Sequence, residues 1–365
     1  MLSVFCSPCR YTQGRDATAS LGMEMAALGL DGPVLIVASR SAKRLLDTVW
    51  PAALGDSGYA HTVYDFGGEC SLAEIARIEA AARHVRAATI VGAGGGKVLD
   101  AARAAAAGLT LPVVNCPTVA SSDAPCSALS VIYTEDGVFR EYRFYKRNPD
   151  LVLVDTTVIA QSPARLLAAG MGDALATWFE ARTCAAGHVR NMRGGASTSS
   201  ALQLANFCYK TLIEDGKDAL HAIRQRAVTP ALERIIEANT LLSGLGFESS
   251  GLAAAHAIHN GLTAAPATRQ FYHGEKVAFG ALVQLVLEGA SRAQMQELLA
   301  FSRETGLPVT LEEIGCAQMP SELLQQVATR ATAPGETIHN EPFAVTSAMV
   351  ADAILAADAI GRSAP

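Results

Sequence analysis

His256-Ala-Ile-His259 and His273, fourteen residues further on in Tyr272-His-Gly-Glu-Lys276, are imidazoles set in almost wholly apolar surroundings. At i and i+3 of a helix, His256 and His259 share one face. A buried imidazole must find a partner, so two readings are open. The rings are core histidines bonded to nearby carbonyls, or they are ligands to a cation. Asp173 stands inside another apolar helical run, Ala168-Ala-Gly-Met-Gly-Asp-Ala-Leu-Ala-Thr-Trp-Phe-Glu-Ala181, and weighs toward the second. One carboxylate with His256 and His273 makes a three-ligand set that leaves room for substrate, as a catalytic divalent metal requires.

Two further segments carry chemistry. Gly92-Ala-Gly-Gly-Gly-Lys97-Val-Leu-Asp100 follows a strand pattern and opens a helix. Missing side chains there let backbone amides approach a pyrophosphate at a helix N-terminus. The spacing is neither GxGxxG nor a Walker loop, and by itself a structural turn explains it equally well. Pro117-Thr-Val-Ala-Ser-Ser-Asp123-Ala-Pro-Cys-Ser127 follows the next strand. It reads as a capping connection or as a second wall of a ligand site at the C-terminal edge of a sheet.

The elements that must position these residues fall into two halves. Short β-branched runs at 34–38, 87–91, 111–115 and 151–154 interleave with helical patterns at 71–85 and 98–107, and 131–134 with 139–145 forms a hairpin. That alternation predicts an α/β domain with a mostly parallel sheet. After Pro163 the strand signal ends, and helices are expected at 166–185, 198–214, 230–245, 251–262 and 275–287. We therefore divide the chain into an α/β half, 1–162, and an all-α half, 163–365.

Composition narrows the function classes. At 365 residues with 50% hydrophobic and 18% charged residues, the chain can bury large cores. A formal charge of −6 argues against a nucleic-acid partner or a polybasic membrane surface. The uncharged stretch 104–122 is broken by Pro112 and Pro117 and is no membrane span. No charged, then apolar, leader opens the chain, so a cytoplasmic location is expected. The eight scattered cysteines are expected as reduced thiols, and Cys6-Ser-Pro-Cys9 lacks the second pair that a zinc site needs.

Longer motifs add a resemblance. Phe66-Gly-Gly-Glu69, Gly94-Gly-Gly-Lys-Val-Leu-Asp100, Ser122-Asp-Ala-Pro-Cys-Ser-Ala-Leu-Ser-Val-Ile-Tyr133 and Asn148-Pro-Asp-Leu-Val-Leu-Val-Asp155 resemble the polyol branch of the iron-containing alcohol dehydrogenase superfamily, the glycerol dehydrogenases. So do Gly172-Asp-Ala-Leu-Ala-Thr-Trp-Phe-Glu-Ala-Arg182, Gly246-Phe-Glu-Ser-Ser-Gly-Leu-Ala-Ala-Ala-His256, His273-Gly-Glu-Lys-Val-Ala-Phe-Gly280 and Gly335-Glu-Thr-Ile-His-Asn340. The resemblance covers essentially the whole chain. It implies a dehydroquinate synthase-like fold in which 1–162 binds a nucleotide and 163–365 binds metal and substrate. It further implies Zn(II) on Asp173, His256 and His273, with the substrate at Asp123, His256 and His273. For NAD it implies contacts with Ser39, Gly94, Gly95, Gly96, Lys97, Val98, Leu99 and Asp100. Thr118, Val119, Ala120, Ser121, Ser127, Leu129 and Tyr133 complete that set. Asp123 and His259 are the catalytic candidates, His259 either relaying a proton or supporting a ligand.

The implied reaction is reversible oxidation of glycerol to dihydroxyacetone with NAD(P)+, in a ring-like homo-oligomer, an octamer. Where longer-chain members carry a further histidine one turn after the ligand aspartate, this chain has Thr177. NAD-preferring members carry an acid just after the strand at 34–38, whereas this chain has Ser39 followed by Arg40, Lys43 and Arg44, so NADP is a second candidate. The alternatives are a dehydrogenase of another vicinal diol or amino alcohol, and a lyase like dehydroquinate synthase. The lyase would need several Lys and Arg near the metal, and only Lys276 and Arg269 lie near the histidines in sequence.

Overall fold

The computed structural model describes residues 1–363. The chain forms two compact units. The first comprises 7–162 with 222–241, and the second comprises 1–6, 163–221 and 242–365.

Among the described residues the strands are β1 (Arg10–Gly14), β2 (Val34–Ala38), β3 (His61–Asp65), β4 (Thr89–Gly94), β5 (Val113–Pro117), β6 (Leu129–Tyr133), β7 (Phe139–Phe144) and β8 (Leu151–Asp155). The helices are α1 (Leu21–Ala27), α2 (Arg40–Leu46), α3 (Trp50–Gly55), α4 (Leu72–His84), α5 (Gly96–Leu109), α6 (Thr156–Ile159), α7 (Ala164–Ala186) and α8 (Ser199–Arg224). They continue as α9 (Pro230–Glu237), α10 (Ser243–Ser250), α11 (Ala254–Leu262), α12 (His273–Leu287), α13 (Arg292–Thr305), α14 (Ser321–Ala331) and α15 (Ser347–Ser363).

In the first unit six strands lie parallel in the order β1-β8-β5-β4-β2-β3, and β6 pairs with β7 as an antiparallel ribbon. The central strands β2, β4, β5 and β8 are buried along their whole length, as a parallel sheet covered on both faces demands. Leu21, Met25, Leu46, Trp50 and Leu54 from α1–α3 pack on one face with Val34 and Ile36. Ile75, Ile78, Ala101 and Ala105 from α4 and α5 pack on the other with Leu35, Val37 and Ile90. The helix after β2 and the helix after β4 thus lie on opposite faces of two neighbouring strands. Such a reversal opens a crevice beyond their carboxyl ends, where ligands of open α/β sheets bind.

Two strands escaped the sequence reading. β1 (Arg-Tyr-Thr-Gln-Gly) and β3 (His-Thr-Val-Tyr-Asp) are sheet edges, mostly half-buried and rich in polar residues. β4 also runs to Gly94 rather than stopping at 91, because its glycines pair with β5 in regular register.

The second unit is helical. α10 ends at Ser250, where Gly251 takes φ +109°, a value that favours glycine. The helix expected from 251 therefore begins only at Ala254. No helix among the described residues is long and apolar enough to cross a membrane. The eight cysteines are all free thiols.

Candidate functional site

In the second unit, Asp173 lies mid-way along the buried helix α7. Two glycines let the first turn of α12 settle against it. A Cβ on Gly274 would fall 1.7 Å from the Ala169 carbonyl oxygen, and one on Gly172 would fall 2.4 Å from that of Gly274. This backbone approach brings His273, the first residue of α12, within reach of Asp173. Glu275 fixes the turn. It accepts from the Tyr272 backbone N–H at 2.7 Å and takes a two-bond fork from Arg165 at 2.6 and 2.9 Å.

His256 is placed differently. Ala253 precedes α11 and has no side chain to cap it. Acceptors come instead from distant residues: Glu180 takes the N–H groups of Ala253 and His256 at 2.8 and 3.0 Å. Glu341 takes that of Ala254 at 3.2 Å and Gln284 that of Ala255 at 3.0 Å. The first amides of a helix have no partner within it, so these three side chains hold the start of α11. Glu180 also accepts from His256 Nδ1 at 2.6 Å. That bond commits Nδ1 and turns Nε2, the other ring nitrogen, toward Asp173 Oδ1 at 3.3 Å.

A second chain of bonds orients His273. Glu336 accepts from the Asn260 amide at 2.8 Å, so the Asn260 carbonyl oxygen faces His259 Nδ1 at 3.1 Å and accepts its proton. His259 Nε2 is then an acceptor, and His273 Nδ1 donates to it at 3.1 Å. His273 Nε2 then lies 3.1 Å from Asp173 Oδ1. Both imidazoles thus turn Nε2 toward one carboxylate, each held from behind.

The three ligand atoms lie within 4.8 Å of one another. Burial alone would raise the Asp173 pKa, but His273 and His256 hold it well below the usual carboxylate range. Burial would lower the pKa of His256, yet Glu180 and Asp173 carry it well above the imidazole range. The spot therefore attracts positive charge. Its N,N,O donors, with His273 41% exposed and Asp173 1%, fit a divalent ion open to solvent on one side. Burial, followed by His273 and Lys276, pushes the pKa of His259 well below its ordinary value and keeps that ring neutral. Thr177 faces elsewhere, its hydroxyl 2.8 Å from that of Ser243.

The first unit holds the other candidates. Gly94 ends β4, Gly95 precedes α5, and Gly96-Lys-Val-Leu-Asp100 is the first turn of α5. Space beside the turn is open: a Cβ on Gly96 would meet nothing nearer than Ser122 Oγ at 3.8 Å. The neighbouring loop is anchored through Thr118, whose N–H donates to the Gly94 carbonyl at 3.0 Å. Buried side chains pin the rest: Asn239 to the Ala120 carbonyl at 2.9 Å, Arg103 to Ala124 at 2.7 Å and Asn115 to Pro125 at 2.8 Å. Asp123 sits in that pinned loop, 9% exposed.

Not every candidate side chain faces outward. Asp100 is buried, bonded to Arg103 at 3.1 Å and to the Val131 N–H at 3.1 Å. Burial raises its pKa to about 6 against the pull of Arg103. It ties α5 to β6. The Ser127 hydroxyl donates to the Ala124 carbonyl at 3.3 Å, and the Leu129 carbonyl accepts from Arg103. Lys97 reaches Glu69 at 2.5 Å and lies 5.3 Å from the Tyr133 ring centre. Ser39 caps α2, accepting from Ala42 N–H at 3.1 Å.

The sequence reading missed Glu180, Gln284 and Glu341. Glu180 and Gln284 carried one usable signal: each is polar within an apolar helical run.

The family described as iron-containing alcohol dehydrogenase matches residues 8–156. A glycerol dehydrogenase of Pseudomonas putida is 50% identical over 98% of this chain and 97% of its own. A glycolaldehyde reductase of Halobacterium salinarum is 48% identical over 99% of each. The crystal structure of a probable glycerol dehydrogenase from Sinorhizobium meliloti superposes with a TM-score of 0.93 at 40% identity, covering 99% of both chains.

Proposed function

The chain belongs to the iron-containing alcohol dehydrogenase family and has its dehydroquinate synthase-like fold, and on that premise we propose that it is a glycerol dehydrogenase. It oxidises the secondary hydroxyl of glycerol to the ketone of dihydroxyacetone, reversibly. The carbon gives a hydride to an NAD-type nicotinamide, and the hydroxyl gives its proton to solvent. The observation that carries this reading is the convergence of Asp173, His256 and His273, with both imidazoles presenting Nε2.

These residues would hold a divalent ion. We choose zinc over iron because Thr177, where a fourth ligand would stand, is bonded to Ser243, and catalytic zinc needs only three protein ligands. Such an ion supplies Lewis acidity toward a hydroxyl oxygen. Glu180 and His259 keep the two imidazoles in the required tautomer. For His259 this geometry favours holding His273 over relaying a proton. Asp123 accepts a substrate hydroxyl, which favours a polyol over a mono-alcohol. The amides at the start of α5 take the pyrophosphate, while the Thr118-Val-Ala-Ser121 segment forms the facing wall. A homo-oligomer, the octamer implied by the family, is part of the same reading.

The relationship to a glycolaldehyde reductase keeps other small vicinal hydroxy compounds as a second reading. Exhaustive chelation should abolish NAD-linked glycerol oxidation and Zn(II) should restore it, followed by nicotinamide absorbance and metal content. Full turnover by metal-free protein would end the proposal. A panel of diols and hydroxyaldehydes ranked by kcat/KM would choose between the two readings.

A further inference from the structure

We infer that this chain has a receptor for the 2′-phosphate of NADP, made by Arg40 and Arg44 at the carboxyl end of β2. The inference rests on the dinucleotide reading of the glycine turn. β2 and β4 are neighbours, and Ser39, the residue after β2, donates its N–H to the Ala93 carbonyl at 3.0 Å. A Cβ on Gly94 would lie 3.3 Å from Ser39 Cβ, so Ser39 abuts the glycine turn. When a pyrophosphate sits on such a turn, the adenosine ribose falls at the end of the neighbouring strand. An acid there accepts the ribose hydroxyls and repels a 2′-phosphate. Here the position holds an uncharged serine whose hydroxyl caps α2.

What stands beyond Ser39 is cationic. α2 carries Arg40, Lys43 and Arg44 at i, i+3 and i+4, on one face. With Asp65, Phe66 and Gly67 they line a cavity of about 540 Å³. Lys43 is already matched, since its ammonium lies 2.8 Å from Asp65. That pair also cancels the one acid lining the cavity. Arg40 and Arg44 are exposed and enter no ion pair among the described residues. Their guanidinium forks suit a phosphate dianion, and Arg keeps its charge at any working pH.

Calorimetric titration of the zinc-loaded full chain with NAD+, NADP+, 5′-ADP and 2′,5′-ADP tests this without turnover. NADP+ should bind within about tenfold of NAD+, and 2′,5′-ADP should bind more tightly than 5′-ADP. Replacing both arginines (Arg40→Ala with Arg44→Ala) should raise the ratio of NADP+ to NAD+ dissociation constants by roughly tenfold to a hundredfold, the worth of one or two charge-assisted bonds. Both substitutions are on exposed positions, and circular dichroism checks that the variant is folded. NAD+ binding without NADP+ binding, or a ratio unmoved by the double substitution, would overturn the inference alone. Failure of both dinucleotides to bind would overturn the underlying reading with it.

Discussion

The candidate metal centre and the glycine turn build polar sites by opposite means. At the metal centre, identity is chemistry: Asp173, His256 and His273 supply the atoms, and Glu180 and His259 set their orientation. At the glycine turn the backbone would supply the atoms, and the nearby charges Asp100 and Arg103 are spent on pinning the loop and α5. The first site sits on buried helices, where an uncompensated charge is expensive. The second is open, with Lys97 52% exposed. Single-atom changes should therefore be felt far more sharply in the first region than in the second.

The largest effect should come from His256→Ala. It removes one ligand and leaves Asp173 and Glu180 facing a void. Loss of metal forfeits several kcal/mol of transition-state stabilisation, about a thousandfold or more in kcat/KM. Dinucleotide affinity, measured by calorimetry, should change little if the two regions are independent. A parallel collapse of nucleotide binding would break the comparison.

Glu180→Gln is the finer probe of the same region. The amide still offers an oxygen to Ala253 and His256 N–H, but it loses the charge that orients the imidazole. Zinc affinity, read by competition with a chelator, should fall roughly ten- to a hundredfold. Unchanged affinity would mean that the α7–α11 packing alone sets the ring.

Asp123→Asn asks whether the first unit also holds a site where identity counts. Losing one charged hydrogen bond to a substrate hydroxyl should cost roughly 1.5–3 kcal/mol in kcat/KM for glycerol. NAD+ affinity should stay near normal. If nucleotide binding falls instead while glycerol turnover at saturation holds, Asp123 reads the wrong ligand.

The two regions also differed in how far they could be read from sequence. An acid or imidazole inside an apolar helix stands out, so Asp173, His256 and His273 were visible, as was the glycine run after a strand. The supports were not. Helix caps are sought within a few residues of the helix start, yet α11 is capped by Glu180, Gln284 and Glu341, which lie 73 or 76, 29 and 87 residues from the amides they hold. Tertiary packing supplies what local sequence lacks, and this misplaced the expected helix start at 251. The edge strands β1 and β3 were hidden for a related reason. Half-buried edges carry polar residues and give no continuous apolar run.

In acid solution the smallest effect should come from Glu341→Gln. Glu180 and Glu341 cap the same helix. Burial, then Glu288, raises the pKa of Glu341 to about 8, with Glu180 adding to the shift. Glu341 is therefore neutral at pH 7, and its Oε2 has no hydrogen-bond partner among the described residues. Below about pH 4.5, where the native carboxyl is neutral in both the folded and the unfolded chain, a neutral amide of the same shape should alter stability by no more than about 1 kcal/mol. The pH dependence is the informative part. For an acid whose folded pKa lies above its unfolded value near 4.5, the stabilising contribution is complete below about pH 4.5 and is lost as pH rises toward 8. The substituted amide cannot ionise and escapes that loss. The difference in melting temperature, variant minus native, should accordingly grow between pH 5 and pH 8. A difference that stays flat would mean Glu341 is ionised throughout, making it a charged cap.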